Sequence, residues 1–210
     1  MTFEQLKDAV RSRVNDMSES LDESVPDFIN EAIGIIAYDL GGLPSLKKFA
    51  TVVTLTTANH VSMPTDSSGI LRYVGDEDGE ITVLPNLETL VRRYPKLDET
   101  GSVVDYVVLE GSDLYYQPII SPANTLYLIY FANPTVLVSG SDIPTYLPSV
   151  LHRSSIVPKA AELIFSIIEE GVEGDHVNTL AAQSDYAVGL AQLRAWKKRI
   201  TRRESPTIWE

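Results

Sequence analysis

The sequence predicts an α+β protein in which helices from both ends of the chain form one bundle around a β-rich insertion. Apolar residues recur at helical spacing before residue 45 and after residue 145, whereas β-branched residues and turn signals fill the stretch between. The chain has 210 residues, 44% of them hydrophobic, so it is long enough to bury a core without disulfides or metal. The predicted domains are therefore 1–45, 46–144, 145–203 and an extended tail, 204–210.

The N-terminal part is predicted to hold two helices. The first opens at Thr2, because Thr2 and Gln5 have the spacing of a capping box. Its narrow apolar face consists of Phe3, Leu6, Val10, Val14 and Met17. The second helix is expected to start at Ser24–Pro26, since proline is tolerated in a first turn, and to stop at Gly41–Gly42. Its apolar face is broad, which predicts burial.

The middle of the chain predicts strands separated by plain turns. The expected strands are Thr51–Thr56, Ile70–Val74, Ile81–Leu84, Val103–Leu109, Leu114–Pro118 and Thr125–Phe131. One short helix, Asn86–Tyr94, interrupts them between two prolines.

Two helices are predicted after Pro148. The first is apolar nearly all round and therefore central, and Pro158 should either kink it or mark its start. Gly171 and Gly174 are expected to end it. Asp175 would then cap the last helix, which should run to about Arg202.

The last helix has apolar residues on two opposite sides. At about 100° per residue, one side carries Val177, Leu180, Ala181, Val188, Ala191 and Ala195. The opposite side carries Tyr186, Leu190, Leu193 and Ile200. A surface helix of a monomer needs one apolar stripe, so this helix is sandwiched either within its own chain or between subunits. We assign Tyr186, Leu190, Leu193 and Ile200 to a subunit interface, with burial inside a monomer as the alternative.

Charge and composition exclude several classes of protein. The net charge of −12 disfavours wrapping of nucleic acid through phosphate neutralisation. Residues 194–203 nevertheless carry six basic groups and no acid. The chain has no cysteine, no signal-peptide pattern and no apolar run long enough to cross a bilayer, so we expect a protein that stays soluble where it is made and binds no membrane.

Motifs of catalysis are missing from the sequence. His60, His152 and His176 are scattered, and the acidic stretch Asp76–Glu80 has no glutamate at the spacing of a calcium loop. No phosphate-binding glycine loop or nucleophile elbow occurs. We therefore expect no enzyme, no metal and no cofactor.

Several short motifs, in their order, resemble the head-to-tail adaptor (head-completion, gatekeeper-like) proteins of tailed bacteriophages. They are Phe28-Ile29-Asn30-Glu31-Ala32, Val61-Ser62-Met63-Pro64-Thr65-Asp66, Leu87-Glu88-Thr89-Leu90, Tyr94-Pro95, Leu114-Tyr115-Tyr116-Gln117-Pro118, Leu126-Tyr127-Leu128-Ile129-Tyr130-Phe131, Ile143-Pro144 and Leu147-Pro148. The resemblance covers about residues 1–203, and Pro158 departs from the uninterrupted helix that the family leads us to expect.

The resemblance implies a structural virion protein of the head–tail neck, assembled in the host bacterial cytoplasm. Its partners would be the portal protein, a tail or nozzle protein and other copies of itself in a ring, usually of twelve subunits. Duplex DNA would pass through the ring without specific binding. The alternatives are another tail-tube or baseplate component and an unrecognised hydrolase.

The C-terminal segment suits a portal contact under this interpretation. Pro206 ends the helix, and Ile208 and Trp209 near the chain end are typical of residues that bind a partner's groove. Three cations, Arg199, Arg202 and Arg203, would then approach acidic portal surface. The alternatives are a tail folded back on its own subunit and cations that only complement the helix dipole.

Two acidic turns, Asp76–Glu80 and Glu110–Asp113, are candidates for the wall of the DNA channel. An acidic wall would not hold DNA. Acidity that serves solubility alone is the alternative.

Overall fold

A computed structural model describes residues 1–15, 17–170 and 176–204, with only the backbone for residues 202–204. The α+β prediction is confirmed: N- and C-terminal helices flank a strand-rich middle. The chain divides into a helical unit, Met1–Ser45 with Pro134–Glu210, and a β-rich unit, Leu46–Asn133. Residues 134–144, which the sequence analysis places in the insertion, group with the helices.

The described residues form five α-helices, four of them in the helical unit. They are α1 (Phe3–Val14), α2 (Glu19–Asp39), α3 (Leu87–Arg93), α4 (His152–Ile168) and α5 (Val177–Glu204). Helix α3 belongs to the β-rich unit. Helix α4 packs against α1, α2 and α5 and is therefore the central helix of the bundle, as its apolar surface predicts.

The capping box of α1 is confirmed. Thr2 Oγ1 accepts from the Gln5 amide at 3.3 Å, and Gln5 Oε1 accepts from the Thr2 amide at 3.0 Å. Four residues of the predicted apolar face lie within α1, and all four are buried: Phe3, Leu6, Val10 and Val14. The reciprocal cap thus satisfies two N–H groups at the start of this helix that have no partner within it.

The predicted start of α2 is wrong, although its end is confirmed. The helix begins at Glu19, so Pro26 lies inside it. The early turns are stabilised by tertiary contacts: Arg11 donates to Asp22 at 2.7 and 3.2 Å, and Val25 is fully buried. The end follows from Gly41 and Gly42, both at positive φ, where glycine alone has no Cβ penalty.

The β-rich unit contains three small sheets. The strands are β1 (Lys47–Val53), β2 (His60–Ser62), β3 (Ser67–Gly75), β4 (Thr82–Val83), β5 (Thr100–Gly101), β6 (Tyr106–Glu110), β7 (Asp113–Gln117), β8 (Ile119–Ile120) and β9 (Thr125–Ala132). The sheet orders are β1–β9–β3, β2–β7–β6–β4 and β5–β8. Alternate residues of β9, from Leu126 to Ala132, enter the core of the unit, as the period of two in a strand dictates.

Each of the six predicted strands has a counterpart, with ends shifted by a few residues, and α3 is confirmed with Asn86 as its N-cap. Strands β2, β5 and β8 were not predicted. Each has only two or three residues, which is too short for an alternating pattern to show.

Candidate subunit interface

The inner side of α5 packs against its own chain. Tyr186, Leu190 and Leu193 are 8%, 9% and 0% exposed, and Ile200 is half-buried. These are the residues that the sequence analysis assigns to a subunit interface. The chain covers the first three itself, so a contact between subunits through them stays a prediction.

Helix α5 crosses α4 at Gly189. A Cβ placed on Gly189 would lie 1.9 Å from the Ser154 carbonyl oxygen, so only glycine allows this approach. Pro158 lies four residues after Ser154 within α4 and has no N–H to donate to that carbonyl. Helix α4 begins at His152, so Pro158 does not mark its start, and the predicted kink stays a prediction. The proline leaves the Ser154 carbonyl without its usual helical donor at the place where α5 comes closest.

A buried tyrosine connects α5 to two other helices. The Tyr186 hydroxyl donates to Asp39 at 2.7 Å, at the end of α2. The Lys159 ammonium of α4 lies 5.1 Å from the centre of the Tyr186 ring. The pKa of Tyr186 is raised, mainly by burial and secondly by the hydrogen bond to Asp39. The phenol therefore keeps its proton and stays a donor at neutral pH. The inner side of α5 is thus fixed by polar contacts as well as by packing.

Glu169, at the C-terminal end of α4, accepts hydrogen bonds from N–H groups at the start of α5 that have no acceptor within that helix. Its carboxylate accepts from the backbone and side chains of Asn178 and Thr179 at 2.6–3.1 Å. These hydrogen bonds lower the pKa of Glu169, and the bond from the Thr179 hydroxyl has the largest effect. Sequence reasoning missed this contact because Glu169 is nine residues away. The predicted cap Asp175, with Gly171 and Gly174, lies outside the described residues.

The basic end of α5 is only partly available to a partner. Lys197 donates to the carbonyls of Leu40 and Gly41 and so caps the C-terminus of α2. Arg199 is exposed, and its Nε donates to the Ala195 carbonyl of its own helix at 3.4 Å. The side chains of Arg202 and Arg203, together with Ile208 and Trp209, lie outside the described residues, so the predicted portal contact stays a prediction.

The outer side of α5 is exposed along most of its length. Val177, Leu180 and Val188 are 63%, 58% and 59% exposed. Ala181, Ala191 and Ala195 are exposed on the same side. We call these six residues the outer α5 face. Of the two apolar sides that the sequence indicates, this is the one with free area for another molecule.

A second exposed surface, on α2, is acidic. Glu19, Glu23, Asp27 and Glu31 follow one another at intervals of four residues and are all exposed. We call them the acidic α2 face. Within the described part of the chain, none of the four takes part in an ion pair. Like charges at this spacing repel one another along a helix.

Each of the two acidic turns proposed for the channel contains one carboxylate that accepts hydrogen bonds from its own chain. Asp76 is 9% exposed, and it accepts from the amides of Asp78 and Gly79 and from the Asn124 side chain. Asp113 accepts from Ser62 at 2.9 Å. Asp76 and Asp113 therefore build their turns, and the exposed acids of the first turn are Glu77, Asp78 and Glu80.

Three further features of the described residues concern metal sites, membrane-spanning helices and clefts. The described residues contain no cluster of three or more His, Asp or Glu side chains placed to hold a metal ion, and no helix long and apolar enough to cross a membrane. A cleft of about 280 Å³ in the helical unit is lined by Ala9, Ser12, Arg13, Arg153 and Val157. Those five residues do not pair a nucleophile with a base.

A family model described as SU10 adaptor protein matches residues 1–207, almost the whole chain. No curated protein matches it.

Proposed function

The chain belongs to the SU10 adaptor proteins, a family of bacteriophage head-to-tail adaptors, and we propose that it forms a ring beneath the portal, extends the DNA channel there and provides the surface to which the tail attaches. Membership makes it a structural component of the virion and places it in a structural family rather than an enzyme family. Assembly of the ring in the host bacterial cytoplasm is part of the proposal.

The observation that carries this proposal is the extent of the family match. It includes both units of the chain and the C-terminal residues up to Thr207. The exposed outer α5 face supports it, because contiguous apolar area on a helix is typical of a surface that another protein covers.

The charge of the chain supports passage of DNA without binding. A net charge of −12 repels the phosphates of a duplex. In this proposal the clustered cations of residues 194–203 contact protein rather than DNA. We propose that the exposed acids Glu77, Asp78 and Glu80 contribute to the channel wall. An isolated ring that bound duplex DNA tightly at physiological salt would contradict this role.

The proposal is tested by assembly with the portal protein of the same phage. The purified chain is incubated with portal rings and with portal-bearing heads that lack tails, and the products are imaged by electron microscopy. We expect a ring attached to the portal and, after addition of tails, joined particles. A chain that binds tails or polymerises but never attaches to portal would instead be a tail component.

A further inference from the structure

We infer that the outer α5 face and the cations that follow it bind the acidic α2 face of a second copy of this chain. This inference rests on the proposed ring and names the contact that would build it. Its two surfaces lie on the same helical unit, and both are exposed.

The outer α5 face continues into a cationic end. At about 100° per residue, Lys198 and Arg199 lie on the same side as Val188 and Ala195, and both are exposed. Asp185 is the single acid between residues 177 and 201, and it pairs with Arg13 at 2.5 Å. This side of α5 therefore presents apolar surface along its N-terminal part and positive charge at its C-terminal end.

Helix α2 presents the complementary pattern. It has six acids and no lysine or arginine. Asp22 pairs with Arg11, and Asp39 accepts from Tyr186, which leaves the four carboxylates of the acidic α2 face. Tyr38, 75% exposed, lies on the same side farther along the helix. Four unpaired acids in a row repel one another, so a cationic partner stabilises α2 as well as the contact.

The spacing on the two helices matches when they run antiparallel. Asp27 and Tyr38 are eleven residues apart, and so are Val188 and Arg199, which corresponds to about 16 Å along each helix. In that arrangement Arg199 meets Asp27 and Val188 meets Tyr38. The contact thus pairs opposite charges at one end and apolar side chains at the other.

The same chain cannot make this contact with itself. Both α2 and α5 turn their buried sides toward α4, so the two surfaces point away from the core. Lys197 holds the basic end of α5 at the C-terminal end of α2, whereas the acids occupy its N-terminal part. A contact between two different faces is head-to-tail, and repetition of such a contact builds a ring when the rotation between copies closes and a filament when it does not.

The first experiment exchanges charges. One variant carries Lys198→Glu and Arg199→Glu, and the other carries Asp27→Lys and Glu31→Lys. Each alone meets a like-charged face on its neighbour, so we expect self-association, measured by sedimentation velocity, to weaken at least about tenfold. A 1:1 mixture restores it, because alternating copies place opposite charges at every contact. Circular dichroism and melting of each variant should stay unchanged, since all four positions are exposed.

The second experiment uses the absence of cysteine, which makes cross-linking clean. Chains with Asp27→Cys and chains with Arg199→Cys are mixed, on portal-bearing heads and in solution, and oxidised. We expect a cross-linked pair from the mixture and none from either chain alone. A homodimer from Val188→Cys alone would mean a symmetric α5–α5 contact and would overturn the inference.

The remaining outcomes also decide the question. If the 1:1 mixture of charge variants does not restore self-association, the inferred contact between α5 and α2 is refuted. The same holds if Asp27→Cys and Arg199→Cys chains form no cross-link even on heads. If Lys198→Glu with Arg199→Glu abolishes attachment to portal but leaves self-association intact, the cations belong to the portal contact. Self-association without portal attachment keeps this contact and refutes the proposed function instead.

Discussion

At the scale of single residues, the helical unit depends on a few positions where the structure requires one particular amino acid. Gly189 lies against the Ser154 carbonyl that Pro158 leaves without a helical donor. His152 is fully buried, with its two ring nitrogens 3.0 Å from the Met1 ammonium and 3.1 Å from the Leu147 carbonyl. Neither role can be read from the neighbouring sequence, because Ser154 is far from Gly189 along the chain and Met1 is far from His152.

Substitution of Gly189 by alanine should destabilise the bundle. The new Cβ would overlap the backbone of α4, which cannot give way as a flexible side chain does, and we expect a loss of about 1–3 kcal/mol in the free energy of unfolding. Gly34→Ala is the matched control. It also replaces a helical glycine, but nothing lies within 4 Å of its Cβ, so it should stabilise α2 by roughly 0.5–1 kcal/mol. Urea unfolding measures both. Equal effects would contradict the close approach.

His152 should make the stability of the protein depend on pH near neutrality. Burial first, and then the Met1 ammonium, lower the pKa of His152, although its hydrogen bonds oppose the shift. The unfolded chain therefore takes up a proton at a higher pH than the folded one. The contribution of His152 to the free energy of unfolding is fully present above about pH 6.5, the pKa of histidine in the unfolded chain. It falls as the pH drops below that value.

We expect the free energy of unfolding to decrease between pH 7 and pH 5, and His152→Gln to flatten that slope. His60→Gln, at an exposed position, is the control and should keep the slope. Urea titrations at several pH values measure it. A slope that is the same in wild type and His152→Gln would show that other groups cause it.

At the scale of elements, α5 has two apolar sides with different surroundings. The inner side is covered by the chain, whereas three residues of the outer α5 face, Val177, Leu180 and Val188, are more than half exposed. Periodicity shows that both sides are apolar but assigns neither to the core, because the angle between residues on one helix carries no information about neighbouring helices.

Two truncations to alanine separate these sides. Leu193→Ala should cost about 2–5 kcal/mol in the free energy of unfolding, because it leaves a cavity where a fully buried side chain packs. Val188→Ala should change the stability of the monomer by less than about 0.5 kcal/mol, because the side chain is exposed. Thermal and urea unfolding of dilute protein measure both. Comparable losses would mean that both sides are internal.

At the scale of the whole molecule, the protein is a helical unit interrupted by a β-rich one, and its associations are expected to use the helical unit and the C-terminal segment. The proposed ring contact uses α2 and α5. The proposed portal contact uses the segment after α5, where Ile208 and Trp209 are the apolar residues. The inferred ring contact takes Arg199, which the sequence analysis assigned to the portal, and Ile208 and Trp209 stay with the portal contact. With that division, the two contacts are predicted to be independent of each other.

Deletion of Thr207–Glu210 should therefore abolish attachment to portal-bearing heads and leave the melting temperature nearly unchanged. A tail of the same length made of glycine and serine is the control, and it should fail to attach as well. A pull-down of heads and a melting curve measure the two effects. Equal attachment of the truncated and full-length chains would end the proposal, and a large loss of stability would indicate a tail that folds back on its own subunit.

Local sequence determined most of the elements of this protein. The capping box at Thr2 and Gln5 and the Gly41–Gly42 stop act within a few residues, so they predicted where helices begin or end. Pro85 and Pro95 likewise bounded the short helix α3, for which the structure shows Asn86 as the N-cap. The apolar and aromatic run Thr125–Phe131 likewise predicted the strand β9, whereas the side of it that is buried was found only in the structure. The short motifs, in their order, resembled those of the adaptor proteins, and the family match confirms that resemblance.

Tertiary structure alone decided what depends on contacts between distant residues. Asp22 and Val25 extend α2 beyond the predicted start, Glu169 accepts from the first amides of α5, and the crossing at Gly189 places one apolar side of α5 in the core. The physical reason is the same each time. A local pattern shows which surfaces are apolar or charged, but which of them is covered depends on the helix packed opposite, and that partner lies far away along the chain.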